Sequence, residues 1–238
     1  MDILLKFILI LKPSHFYSLK MKHLPNFITS LNLASGFIAI IFVLNGDLVT
    51  ASCLILAAMI FDFLDGFTAR LLNAYSVIGK ELDSLADVVS FGVAPGIIIY
   101  SLLARALRLT ETSGLDHDNF LIFILLCSTA VMPVCAALRL AIFNTDETQA
   151  KSFKGLPTPA NALAVISLVI ADRYSGSGIS TFITGSPAIL VILTIILSLL
   201  MVSRIPLLSL KTNHLKFRGN EGRYILISLV GIDRKSVV

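Results

Sequence analysis

Residues 61–95 read FDFLDGFTARLLNAYSVIGKELDSLADVVSFGVAP and hold four aspartates in two spaced pairs. Asp62 and Asp65 are three residues apart, and Asp83 and Asp87 are four apart. Positions three or four apart share one face of an α-helix, so each pair predicts a helix with both carboxylates on one side. The connection between the pairs is short, so the two helices are expected to run antiparallel and the pairs to meet.

Outward from this stretch the chain is apolar. Hydrophobic residues make up 56% of the 238 and charged residues 14%, against about 25% charged in a soluble domain. That balance points to lipid as the solvent. A span needs about 20 apolar residues to cross the bilayer core. Six segments qualify, at about 27–44, 48–72, 82–107, 120–143, 160–174 and 187–202, separated by turn signals such as Asn45-Gly46-Asp47 and Ser175-Gly176-Ser177-Gly178. The expected fold is therefore an all-α integral membrane protein with a six-helix transmembrane bundle as its core. Residues 1–24 read as an N-terminal amphipathic, interfacial segment, because the apolar run 3–11 is too short to span and Lys6 interrupts it. Residues 25–211 form the membrane domain, and 212–238 a basic loop with a short apolar segment. In that last part the run 224–232 stops after nine residues and reads either as a short, incomplete seventh helix or as a segment at the membrane surface.

The net charge of +4 reports loop charges and orientation here, not nucleic acid. Lys6, Lys12, Lys20, Lys22, Arg70, Lys80, Lys151, Lys154, Arg204 and Lys211 fall on one side of six alternating helices. The opposite loops hold Asp47, then Arg105 and Arg108 against Glu111, Asp116 and Asp118, then Asp172 and Arg173. The excess of Lys and Arg marks the first side, which is also that of the aspartates, as cytoplasmic. Cys53, Cys127 and Cys135 lie in apolar runs without paired spacing and read as small buried hydrophobes.

Ionisable groups within membrane segments are rare and mark function. Four carboxylates in one place repel one another unless cations neutralise them. Carboxylate oxygens suit hard ions such as Mg²⁺, Mn²⁺ or Ca²⁺, and no Cys or His lies near enough in sequence to favour zinc. Two such ions could clamp a pyrophosphate and stabilise its attacking and leaving oxygens. Gly66, Ala69 and Gly79 flank the carboxylates and would let a nucleotide approach the backbone, and Arg70 can pair with phosphate. Arg139 is a candidate contact for a lipid phosphate or an acceptor carboxylate.

The pattern Asp62-x-x-Asp65-Gly66-x-x-Ala69-Arg70, eight residues, then Gly79-x-x-x-Asp83-x-x-x-Asp87 resembles the signature of the CDP-alcohol phosphatidyltransferases, with every fixed position present. The similarity covers roughly residues 24–211. The resemblance implies a six-helix core, a homodimer, two divalent cations (Mg²⁺ or Mn²⁺) per site and release of CMP. It implies that Asp62, Asp65, Asp83 and Asp87 serve the metals and that Asp87 is the general base. Asn26, Thr29, Gly66, Ala69, Arg70 and Gly79 would bind the nucleotide. Flanking pieces, among them Leu24-Pro25-Asn26-Phe27-Ile28-Thr29, Asn32-x-x-x-Gly36, Ser90-Phe91-Gly92-Val93-Ala94-Pro95 and Arg139-Leu140-Ala141-x-Phe143-Asn144, are similar to the serine-using bacterial branch of that family. They imply phosphatidyl transfer from CDP-diacylglycerol to L-serine at the inner membrane of a bacterial cell. Ser90, Arg139, Asn144 and Arg204 would supply the acceptor or lipid-phosphate contacts. Glycerol 3-phosphate or inositol phosphate as acceptor is the rival within the family. A cation-coupled transporter is the rival outside it, and the absence of an internal repeat speaks against that.

The charge bias makes a prediction about topology. With single cysteines at Lys80, Ser113, Lys154 and Ser177, a membrane-impermeant thiol reagent should reach positions 80 and 154 only from the cytoplasmic side. Positions 113 and 177 should label only from the opposite side, and the reverse pattern would contradict the orientation.

Overall fold

The first helix, α1 (Leu24–Leu44), starts with Pro25 in its first turn, where a missing N–H costs nothing. It ends at Asn45, whose side chain donates to the Ile41 carbonyl at 2.9 Å, and at Gly46, whose φ is 80°. Asp47 then accepts from the Thr50 N–H at 3.0 Å and caps α2 (Leu48–Leu71). This tight turn makes α1 and α2 an antiparallel hairpin. The structure, a computed structural model, describes residues 23–109, 120–145, 155–174, 178–203 and 205. The expected interfacial segment, the run 224–232 and Arg204 lie outside the described residues.

Four longer helices follow the hairpin. They are α3 (Val77–Ala106), α4 (Phe120–Thr145), α5 (Thr158–Tyr174) and α7 (Pro187–Val202), with the short α6 (Ile179–Gly185) between the last two. Every regular element among the described residues is helical. All six segments expected from the sequence are helical, and α6 is an addition to them. Helices α1 to α4 are long and apolar enough to cross a bilayer, and α5 with α6 makes a fifth if the two are one broken span. The 16-residue α7 is shorter, at about 24 Å against a hydrocarbon core of about 30 Å. Helix α3 begins at Val77, earlier than the sequence pattern suggested, because Ser76 caps it by accepting from the Gly79 N–H at 2.9 Å. The polar first turns therefore continue the helix.

Burial explains the packing. On α1 the buried positions are Pro25, Thr29, Asn32, Gly36, Ala39 and Val43, a narrow stripe of small and polar residues. Phe27, Phe37, Ile38, Ile41 and Leu44 face outward. Helices in lipid gain little from hiding large apolar groups and instead pack through small ones. Helix α3 is the centre of the bundle: 61% of its best spanning window is buried, against 28% for α1, α2 and α4. Its second half contributes Ile98, Ile99, Leu102 and Leu103 to the core with Ile55, Met132, Ile166 and Leu190.

Two prolines shape the central contacts. Pro95 has no N–H to offer the Phe91 carbonyl four residues back, and its ring crowds that carbonyl. The ladder widens there into a π-helical segment, Val88–Val93. Pro133 does the same to the Thr129 carbonyl, and α4 tightens to a 3-10 turn at Ser128–Ala130. Here the two helices pack closely, and a Cβ on Gly92 would lie 2.9 Å from Ala136 Cβ.

The α1 contact with the π segment is tighter still: a Cβ on Gly36 would lie 2.7 Å from Ser90 Cα. A backbone neighbour cannot swing aside. Gly36→Ala is therefore expected to destabilise the fold by about 1–3 kcal/mol, read as a lower melting temperature in detergent. Gly66→Ala, with nothing within 4 Å of the added carbon, should melt at or above the wild-type temperature, since Ala is the better helix former.

Candidate active site

The ends of the bundle sort into two groups. At one end Asn26 of α1 approaches Gly79 of α3, Lys80 Nζ donates to the Asn144 carbonyl at 3.2 Å, and the Leu156 N–H donates to the Leu200 carbonyl at 2.9 Å. At the other, Arg105 of α3 pairs with Asp172 of α5 at 2.8 Å, and Thr184 of α6 donates to the same carboxylate at 2.8 Å. The aspartates belong to the first end.

Helix α2 carries Asp62 and Asp65 in its last turns, and α3 carries Asp83 and Asp87. Oxygens of Asp62, Asp83 and Asp87 lie within 4.8 Å of one another. Asp65 stands beside this triad, buried, with its side chain toward Thr29 of α1. Three of the four expected carboxylates thus share one point in space and the fourth adjoins it.

Two like charges at that separation repel by roughly 3 kcal/mol at an effective dielectric of about 20. The buried Asp83 Oδ1 and Asp65 Oδ2 also have no hydrogen-bond partner among the described residues. An acceptor left bare in this way costs about 1–3 kcal/mol, and more when it is charged. A hard divalent cation, which binds oxygens at about 2.0–2.6 Å, would relieve both penalties. The donor set is all carboxylate, which suits Mg²⁺ or Mn²⁺ and not zinc. The residues present therefore fit such an ion.

The expected nucleotide residues lie on α1 and on the two helices that carry the aspartates. Asn26 sits beside Gly79, where an added Cβ would be 2.8 Å from its Oδ1. Thr29 is buried, and its hydroxyl also returns to the Pro25 carbonyl at 3.0 Å. Gly66 has open space where a side chain would be. Ala69 is half-buried and Arg70 is exposed on the last turn of α2.

The acceptor residues divide. Arg139 of α4 is half-buried and electrostatically linked to Asp87. Its Nη1 donates to Thr158 Oγ1 at 3.4 Å, while its buried Nε has no partner among the described residues. Asn144 donates to Ser84 Oγ at 2.8 Å and ties the end of α4 to α3. Ser90, expected to contact the acceptor, is fully buried and donates to the Asn32 carbonyl at 3.0 Å. That hydroxyl joins α3 to α1 because Gly36 lets the two backbones touch.

Two asparagines enter that the sequence reading left without a role. Asn32 Nδ2 donates to Asp87 Oδ1 at 3.4 Å, and Asn161 Nδ2 donates to the Phe91 carbonyl at 3.5 Å. Both are fully buried. An amide inside an apolar span needs a reason, and that is the signal that could have found them.

Comparison with known proteins agrees with this geometry. The family model described as CDP-alcohol phosphatidyltransferase matches residues 22–202. The chain is 36% identical over 215 residues to the CDP-diacylglycerol–serine O-phosphatidyltransferase of Mycobacterium leprae, covering 84% of this chain and 63% of that protein. It is 34% identical over 185 residues to the enzyme of the same name from Bacillus subtilis, covering 78% and 89%. It is 36% identical over 154 residues to the archaetidylserine synthase of Methanothermobacter thermautotrophicus, covering 64% and 60%. The matches thus span somewhat less than two thirds of the mycobacterial and archaeal relatives. The family match covers most of the chain, including all four aspartates and the helices that carry them, and the chain belongs to the CDP-alcohol phosphatidyltransferase family.

Proposed function

We propose that this chain transfers the phosphatidyl group of CDP-diacylglycerol to L-serine, giving phosphatidylserine and CMP. The observation that carries the reading is the triad of Asp62, Asp83 and Asp87 at one end of a membrane bundle, with the Arg139 guanidinium within electrostatic reach of Asp87. The names of the mycobacterial and Bacillus relatives support serine as the acceptor.

In this reading the serine hydroxyl oxygen attacks the phosphorus that carries diacylglycerol. The bond from that phosphorus to the CMP oxygen breaks, and CMP leaves with the electron pair. Asp87 takes the hydroxyl proton, which is the work of a general base within hydrogen-bond reach. Asp62, Asp65, Asp83 and Asp87 would hold two divalent cations, which when bound offset the charge of the pyrophosphate and of the leaving CMP. Asn26, Thr29, Gly66, Ala69, Arg70 and Gly79 receive the cytidine and its phosphates; the empty space beside Gly66 supports that assignment.

Arg139, whose Nε has no partner among the described residues, offers a donor fork to the serine carboxylate or the lipid phosphate. Asn144 supplies polar contact from the end of α4, and Arg204 is assigned to the same pocket on its position in the sequence. The protein works as a homodimer in the inner membrane of a bacterial cell with this site toward the cytoplasm. The reading with another acceptor keeps every step except the identity of the attacking hydroxyl. A phosphorylated acceptor would bring about two more negative charges and call for a denser set of cations.

Activity should vanish in EDTA and return with Mn²⁺ or Mg²⁺. Asp87→Asn should lower kcat by about 10²–10⁴-fold, the usual contribution of a general base, while retaining much of the CDP-diacylglycerol binding. Turnover near the wild-type rate in Asp87→Asn, or full activity with metal shown absent, contradicts these roles.

The acceptor is tested by mass spectrometry of the lipid formed from CDP-diacylglycerol in detergent. Phosphatidylserine should dominate when L-serine, glycerol 3-phosphate and inositol phosphate compete at equal concentration. Phosphatidylglycerophosphate as the main product would overturn serine and leave the family chemistry standing.

A further inference from the structure

Asp87 is followed at once by the π-helical segment Val88–Val93, so the carboxylate assigned the proton transfer sits where the helix ladder is irregular. Two contacts fasten the segment and a third reaches Asp87. Asn161 of α5 donates to the Phe91 carbonyl from one side, at 3.5 Å. On the other side Ser90 donates to the Asn32 carbonyl at 3.0 Å, and the Asn32 side chain returns a donor to Asp87 Oδ1 at 3.4 Å.

Asn32 thus grips α3 twice, through its backbone at Ser90 and through its amide at Asp87. It has no exposed surface. Its amide oxygen has no partner among the described residues, so the hydrogen bond to Asp87 is what orients the amide. An ionised carboxylate accepts and cannot donate, which requires the N–H₂ side to face it. The bond takes Oδ1, which leaves Oδ2 for other partners. The grip depends on Gly36, one turn along α1, because a Cβ there would meet the backbone of Ser90.

We propose that Asn32 is a positioning residue for this site: its buried amide, clamped to the π segment through Ser90, holds the Asp87 carboxylate in the orientation that proton transfer and cation binding require. The inference rests on the role given to Asp87 above. Hydrogen-bond partners that orient a cation's carboxylate ligands typically matter by about 10–100-fold in metal affinity or activity.

The test compares Asn32→Leu, which keeps the branched shape at a larger volume and removes the donor, with Asn32→Ala, which removes both without crowding. Each is purified in detergent beside wild type and Asp87→Asn. Melting temperature, kcat, KM for CDP-diacylglycerol and Mn²⁺ binding by electron paramagnetic resonance are measured on the same samples. The expected result is a kcat lowered by about 10–100-fold in both variants, with KM for the lipid within about threefold, and weaker or spectrally altered Mn²⁺ binding.

A kcat within about threefold of wild type, while Asp87→Asn is inactive, overturns the positioning role and leaves the Asp87 assignment intact. An active Asp87→Asn overturns the Asp87 assignment itself, whatever Asn32 does. Unaltered Mn²⁺ binding with a rate loss that follows only the fall in melting temperature, or failure of both variants to fold, makes Asn32 structural and also overturns the inference.

Discussion

Carboxylates on α2 and α3 repel one another, so the helix ends that carry them cannot be held together by the site itself. Something else must bring Asp62 near Asp83 and Asp87 before any cation arrives. That task falls to α1. It packs along α2 as an antiparallel hairpin and presses its stripe of small residues against α3. The closest point is Gly36 against Ser90. In lipid this is an efficient way to bind helices, because close backbones recover dispersion and polar contacts that large side chains would spend equally well on acyl chains. The stripe that α1 buries is correspondingly small, whereas Phe27, Phe37, Phe63 and Phe67 of the hairpin face outward.

The irregular backbone lies next to the chemistry and has chemical causes. Pro95 and Pro133 each withhold an N–H inside a helix, and each is answered within four residues by a change of ladder. The Phe91 carbonyl that Pro95 leaves free meets Asn161. In the turn before Pro133, Ser128 and Thr129 turn their hydroxyls onto the Leu125 and Leu126 carbonyls at 2.6 and 2.8 Å. The consequence for the site is that Asp87 hangs from a loosened helix braced on both sides by buried amides.

The two ends of the bundle differ in what holds them. The far end is fastened by Arg105, Asp172 and Thr184. With the Arg105 side chain 58% exposed, that ion pair adds no more than about 1 kcal/mol. The near end concentrates buried acids, the half-buried Arg139 and unpartnered polar atoms, all of which cost free energy in the absence of ligand. A bundle stabilised at its middle and burdened at one end is what a binding site in a membrane requires.

Much of this was legible in the residues alone. Apolar runs of the right length placed the helices, since a hydrophobic span in lipid is a local property of the chain. The spacing of Asp62, Asp65, Asp83 and Asp87 placed them on single helix faces for the same reason, and their order carried the family resemblance. What the sequence could not decide is which side chains meet across helices. It grouped Ser90 with the acceptor residues, yet packing gives its hydroxyl to Asn32. It treated the four aspartates as one cluster, yet the rotation of α2 brings Asp62 into the triad and turns Asp65 toward Thr29. It gave Asn32 a place in the family resemblance but no partner and passed over Asn161, and their partners are 55 and 70 residues away. Periodicity along one helix records which face is buried. Only the relative rotation and closeness of several helices, set here by Gly36, Pro95 and Pro133, decides what that face touches.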